Sequence, residues 1–164
     1  MTTIEEARFQ ITAWLNLQQA SRVLEGLLDR RLRQAAGLSM AEYEALLRLS
    51  HAGDKPMQMA QIASQLIASP SGTTRIADRL EEGGYITRRT PQENRRVVEI
   101  ELTAKGRRVL DKADRAFRAG LNESFSANLS AHDMATLRAL MRKLLEGNGA
   151  WSDARCSPGL TEPR

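Results

Sequence analysis

The sequence predicts a mainly α-helical protein with one small β-hairpin, and three observations carry that prediction. Apolar residues recur with a helical period over most of the chain, as in Leu17, Ala20, Leu24, Leu28 and Leu32. Capping-box spacings, Thr3 with Glu6 and Ser39 with Glu42, mark helix starts. Strict alternation appears in one place, where Val98, Ile100 and Leu102 interleave with Glu99 and Glu101.

Taken in order, Thr3 opens a long first helix that runs to Ala35-Ala36-Gly37. Ser39 opens a second, carrying Tyr43, Leu46, Leu47 and Leu49, which runs out at His51-Ala-Gly53-Asp-Lys-Pro56. Met57 to Ile67 is predicted as a short third helix with Met59/Ala60, Ala63 and Leu66/Ile67 inward. Ser69 then caps a fourth helix whose first residue is Pro70, the position where a missing N–H does no harm. Ile76, Ala77 and Leu80 supply its buried stripe, which leaves Ser71, Thr73, Thr74, Arg75, Asp78 and Arg79 on or near exposed faces, and Gly83-Gly84 ends it. Tyr85 to Thr90 is the partner of the alternating strand, with Pro91 to Arg95 as the hairpin tip. Thr103 caps a helix bearing Val109/Leu110, Ala113, Ala116/Phe117, Gly120/Leu121 and Phe125. Ser130 opens the last, with Met134, Leu137, Leu140/Met141 and Leu144/Leu145, and Gly147-Asn-Gly149 stops it.

Composition narrows the function. A chain of 164 residues fits one domain, or a small domain with helical extensions. A hydrophobic share of 41% and a charged share of 27% are ordinary for a globular protein, whereas 4% aromatics argues against stacking single-stranded bases. The net charge of +4 favours a polyanionic partner without proving one. One cysteine, Cys156, cannot form an intrachain disulfide, no apolar run approaches the ~18 residues of a membrane span, and the N-terminus is acidic where a secretory signal is basic, so a cytoplasmic location is expected. The stretch from Ala150 is polar and rich in turn residues, and is expected to be a loose tail. His51 and His132 lack close His or Cys neighbours, so neither a metal nor another cofactor is expected.

The order helix, helix, hairpin between Pro56 and Thr103, preceded by another helix, is that of a winged helix-turn-helix. The fourth helix, with small and hydroxylic residues at its start, can enter a DNA major groove, while an arginine-tipped hairpin beside it reaches phosphates or the minor groove. Ser69, Ser71, Thr73, Thr74, Arg75 and Arg79 on the helix, and Arg88, Arg89, Arg95 and Arg96 on the hairpin, are the candidate contacts. Plainer roles compete with each: Ser69 as an N-cap, Arg75 and Arg79 as surface ion pairs with Asp78 and Glu82, the hairpin arginines as solvated charges. Residues 69 to 98 hold six arginines against Asp78, Glu81, Glu82 and Glu93, a surplus of two, so the concentration of arginine at the tip matters more than total charge.

Here the sequence resembles the MarR family of transcriptional regulators. Leu66, Ser69, Ser71, Thr74, Arg75, Asp78, Arg79, Leu80, Glu81, Gly84, Ile86 and Arg88 match its pattern through the fourth helix and first strand, and Arg95-Arg96, Leu102-Thr103 and Gly106 extend the match. The family usually has Asp two residues before the wing arginine; here that position is Asn94, which lacks the charge assistance a carboxylate would give Arg96, and Glu93 is a substitute. The resemblance implies a homodimer on a pseudo-palindromic double-stranded operator, acting as a repressor that a small aromatic or phenolic compound releases. It also implies a ligand pocket where the first two helices meet the DNA-binding lobe, for which Trp14, Arg22, Tyr43 and His51 are candidates, although such residues are commonly core or rim. The branch of the family that senses hydroperoxides carries its cysteine near the N-terminus, so Cys156 is not expected to be a redox switch.

The expected organisation is a dimerisation helix at 3–36, the DNA-binding lobe at 39–103, C-terminal dimerisation helices at 104–148 and a tail at 149–164. The terminal helices have apolar stripes too wide for a small lobe to cover, and a two-fold dimer would bury them while presenting two recognition helices. Two rivals remain. One is a constitutive DNA-binding activator or competitor without an effector; the other, more remote, is an enzyme, for which the chain offers no nucleophile elbow, phosphate loop or paired carboxylates.

Overall fold

A computed structural model describes residues 3–153 apart from Asp54, Ile67 and Glu93, and apart from the side chain of Pro70. The inward placement of Ile67, the substitute role of Glu93, and Cys156 with most of the expected tail lie outside the described residues.

Among the described residues, six helices and a three-stranded sheet follow in the order α1 (Ile4–Ala36), α2 (Met40–His51), β1 (Met57–Gln58), α3 (Met59–Gln65), α4 (Pro70–Glu82), β2 (Ile86–Arg89), β3 (Glu99–Leu102), α5 (Ala104–Ser124), a 3₁₀ turn (Ser126–Asn128) and α6 (Ala131–Gly147). The capping boxes hold: Thr3 Oγ1 accepts from the Glu6 N–H, and the Glu6 carboxylate accepts from the Thr3 N–H at 2.6 Å. At 33 residues α1 is about 50 Å long, and Gly37 ends it at φ 72°, a left-handed geometry that favours glycine. No helix among the described residues is long and apolar enough to cross a membrane.

Met57 departs from expectation. It begins a third strand rather than a third helix, pairing antiparallel with Ile100 while Gln58 pairs with Glu99. The inner edge of β3 supplies the backbone partners, and the Met59 N–H extends the pairing by donating to the Val98 carbonyl at 2.8 Å. The helix starts only where the Gln61 side chain accepts the Gln58 N–H. Its inward residues are Ile62 and Leu66; Ala60 is exposed.

The sheet order is β1-β3-β2, and β2 pairs with β3 from Ile86–Leu102 to Arg89–Glu99. One core fills the space beneath it: Leu32 from α1, Leu38, Leu46 and Leu49 from the second helix and its approach, Ile62 and Leu66, Ile76 and Leu80 from α4, Ile86 and Ile100 from the sheet, and Leu110 from α5. Two glycines make close approaches possible. A Cβ at Gly106 would overlap the Tyr85 carbonyl, and one at Gly120 would lie 2.9 Å from Arg31 Cδ where α1 crosses α5. The periphery differs, for α6 has no buried residue and α1 leaves Ile4, Phe9, Ile11, Trp14 and Leu15 exposed.

Candidate nucleic-acid interface

Helix α4 is built to present one end. Ser69 Oγ accepts from the Gly72 N–H at 3.1 Å, so its hydroxyl is a cap, and Pro70 occupies the first helical position. Thr73 corrects the sequence reading. It is 1% exposed and its hydroxyl donates to the Ser69 carbonyl at 3.2 Å. Thr73, Ile76, Ala77 and Leu80 fall at i, i+3, i+4 and i+7 and form one buried stripe, which takes Thr73 off the outward face. Ser71, Thr74 and Arg75 remain exposed there.

The arginines divide into two sets. Arg79 reaches back to α2, its Nε 2.8 Å from Glu42 Oε1, and Arg89 lies on Glu99 and Glu101 of β3 at 2.9 and 3.2 Å. Arg88 is a candidate DNA contact in the sequence, with a solvated charge as its plainer role. The structure turns it inward instead, with Nη1 2.7 Å from Asp78 and Nε 3.6 Å from Glu81, both on α4. Asp78 therefore serves Arg88, not Arg75 or Arg79. Among the described residues no ion pair engages Arg75, Arg95 or Arg96. At the hairpin tip Asn94 holds backbone rather than guanidinium: its Oδ1 accepts from the Arg96 N–H at 3.1 Å. Arg96 and Thr74 line one groove of about 340 Å³ with Gln58, Met59 and Val98 at its base.

The four ligand candidates are not alike. Tyr43 is 2% exposed, its hydroxyl donates to Asp114 Oδ1 at 2.9 Å, and its ring packs on Phe117 with centroids 4.9 Å apart. Burial, then the Asp114 carboxylate, raises its pKa well above the usual tyrosine value. It is a core residue with a satisfied hydroxyl. Trp14, Arg22 and His51 are exposed. A crevice of about 310 Å³ does lie between α2 and α5, floored by Leu47, Leu102 and Leu110 and rimmed by Ser50, Asp114 and Arg118. Sequence reasoning named none of these six as a ligand contact, reading Leu47, Leu102 and Leu110 only as apolar positions, although Asp114 and Arg118 at i, i+4 were open to it; the 2.7 Å pair they form is the visible sign. Glu42 was likewise read only as a capping residue, yet its second oxygen anchors Arg79.

A helix-turn-helix of α3 and α4 with an arginine-tipped wing beside it defines a winged-helix DNA-binding protein. Comparison with known proteins names the family. The MarR family model matches residues 38–98. The transcriptional repressor MprA of Escherichia coli strain K12 is 30% identical over 131 residues, which span 80% of this chain and 73% of that repressor. Among solved structures, Sco3205, a MarR family transcriptional regulator from Streptomyces coelicolor in complex with DNA, superposes with a TM-score of 0.79 at 24% identity, covering 90% of this chain and 94% of that one. The organohalide-sensing regulator RdhR-CbdbA1625 in its 2,4-dichlorophenol-bound form gives 0.79 at 18% identity, covering 95% and 90%. The chain belongs to the MarR family, and it is a DNA-binding transcriptional regulator of that type.

Proposed function

We propose that the protein is a cytoplasmic homodimeric repressor that binds a pseudo-palindromic operator and is released by a small aromatic or phenolic compound. The observation that carries the DNA part is the shared groove: Thr73 and Thr74 of α4 line the same space as Arg96 of the wing, and Ser71 and Arg75 are exposed on the same first turns of the helix. A guanidinium without a carboxylate partner is available to a phosphate or a guanine edge. Ser71, Thr74, Arg75, Arg95 and Arg96 are thus the favoured contacts, while Arg79 and Arg89 would first have to leave their carboxylates.

The dimer is supported by the frame. Phe9, Trp14 and Leu15 of α1 and Leu140 and Leu144 of α6 are 47–76% exposed, an apolar area that a second copy would cover. Helices at both chain ends then form the dimer region, and the lobe at 39–103 hangs from it. Lobe spacing has to match half-sites one helical turn apart, about 34–36 Å, so a ligand that favours another spacing releases DNA.

The effector part is supported by the 2,4-dichlorophenol bound to RdhR-CbdbA1625 and by the crevice between α2 and α5, which combines an apolar floor with Arg118 at its rim. The test is titration of a protein–operator complex with a panel of aromatic acids and phenols, repeated with Trp14→Ala, Arg22→Ala and Arg118→Ala. Release by one compound that a substitution abolishes supports the reading. Release unchanged by all three places the effector elsewhere, and no release by any compound makes the protein a constitutive DNA binder.

A further inference from the structure

We propose that Arg88 is a positioning residue that latches the wing to the recognition helix, and that it does so in place of touching DNA. This rests on the DNA-binding reading above. Its guanidinium has three nitrogens. Nη1 is bound to Asp78 at 2.7 Å, and Nε and Nη2 are buried with no hydrogen-bond partner among the described residues. The side chain is 22% exposed, against 59% for its neighbour Arg89. A phosphate needs an outward N–H, and the two Arg88 nitrogens without a hydrogen-bond partner are both buried, while the third is engaged by Asp78.

What Arg88 offers is a tie. It stands on β2, and both of its carboxylates stand on α4, at positions 78 and 81 on one face of the helix. The next residue along the helix, Arg79, is tied the other way to Glu42 of α2, whose side chain is 12% exposed. The end of α4 is held further by Lys105, whose ammonium donates to the Gly83 carbonyl at 2.7 Å, and by Thr103, whose hydroxyl donates to the Gly84 carbonyl at 2.8 Å. The last turns of the recognition helix are thereby fixed to α2, the sheet and α5, while its first turns stay open toward the groove. Exposed ion pairs contribute little, but a half-buried guanidinium that loses its carboxylate keeps an uncompensated charge, so this pair is hard to break. Wing and helix then meet DNA as one rigid reader, with Arg75 and Arg96 at a set separation.

An unusual expectation follows for Asp78. It is an acid on the helix that faces a polyanion, and electrostatics alone says that removing it should strengthen binding. The latch says the opposite. The experiment uses full-length protein and a 30-base-pair duplex selected by the wild type from a random pool, with affinity measured across a salt series beside an unselected duplex. Arg88→Met and Asp78→Asn should each weaken binding to the selected duplex at least about tenfold, lose less on the unselected one, and leave the slope of log Kd against log salt unchanged. The reversed pair Arg88→Asp with Asp78→Arg should regain most of the loss, a rescue that a purely local packing role would not give. A slope lower by about 0.9 for Arg88→Met, the signature of one lost phosphate contact, overturns the latch, as does Asp78→Asn binding as well as or better than wild type. Should Arg88→Met fail to fold by circular dichroism, Asp78→Asn carries the test, since it leaves the arginine in place. A wild type that selects no duplex overturns the DNA-binding reading itself, whereas a selecting wild type with either adverse result overturns the latch alone.

Discussion

The DNA-binding lobe and the helical frame stand in contrast. The lobe closes its core within one chain: Leu46, Leu80, Ile86 and Ile100 are at most 2% exposed. The frame does not. Helix α6 repeats apolar residues at helical spacing, yet Leu140 and Leu144 are 55% and 47% exposed, and the first half of α1 shows solvent Phe9 at 76% and Trp14 at 59%. Burial is worth about 25 cal/mol per Å² of apolar surface, so leaving whole helix faces in water forfeits several kcal/mol that a partner can recover. The difference is that the lobe buries its apolar residues by itself, whereas the frame leaves apolar faces open for the second copy proposed above.

The contrast is broken most severely by removing α6. A chain ending at Asn128 loses Met134, Leu137, Met141 and Leu144, and it should be monomeric or insoluble. Sedimentation that finds an intact, soluble dimer from that truncation would put the interface elsewhere. Next in size is the lobe core. Leu80→Ala should reduce stability by about 2–5 kcal/mol in denaturant unfolding, and Leu140→Ala in dilute monomeric protein should change it far less, because only the first side chain is covered within its own chain. Equal losses would erase the distinction between the two regions.

Within the lobe the comparison sharpens between the open and the tied ends of α4. Arg75→Ala or Thr74→Ala should weaken operator binding by about 1–3 kcal/mol if either reads a base edge, with a smaller change on unselected DNA. Equal loss on both duplexes removes the base-reading role. The smallest effect is expected at the wing tip, where Arg96→Ala should weaken binding by less than an order of magnitude and Asn94→Asp should preserve or strengthen it. An operator affinity indifferent to Arg96→Ala would show that the wing does not engage DNA.

Much of this was legible in the chain because helices write themselves locally. Capping boxes at Thr3, Ser39 and Ser130 and the glycines after α1 and α4 put most boundaries within a residue or two of their places. Strand β1 was not legible, since two residues carry no periodicity and Met57 pairs only because Ile100 reaches it from 43 residues on. Thr73 was legible and was misread: its spacing to Ile76, Ala77 and Leu80 marks the buried stripe, but a hydroxyl was taken for a surface group. The pairing of Arg88 with Asp78, and of Arg79 with Glu42, depends on how sheet and helices are set against one another. No helical or strand period encodes a contact between elements, so the sequence could count the arginines without sorting the tied from the open.

The central claim is that one chain supplies a complete reader and half a frame. Sedimentation velocity on full-length protein, alone and with the selected duplex, tests it most directly. The prediction is a dimer before DNA is added and two chains on each duplex afterwards. A stable monomer that binds the duplex one to one, with affinity undiminished by removal of α6, would contradict it.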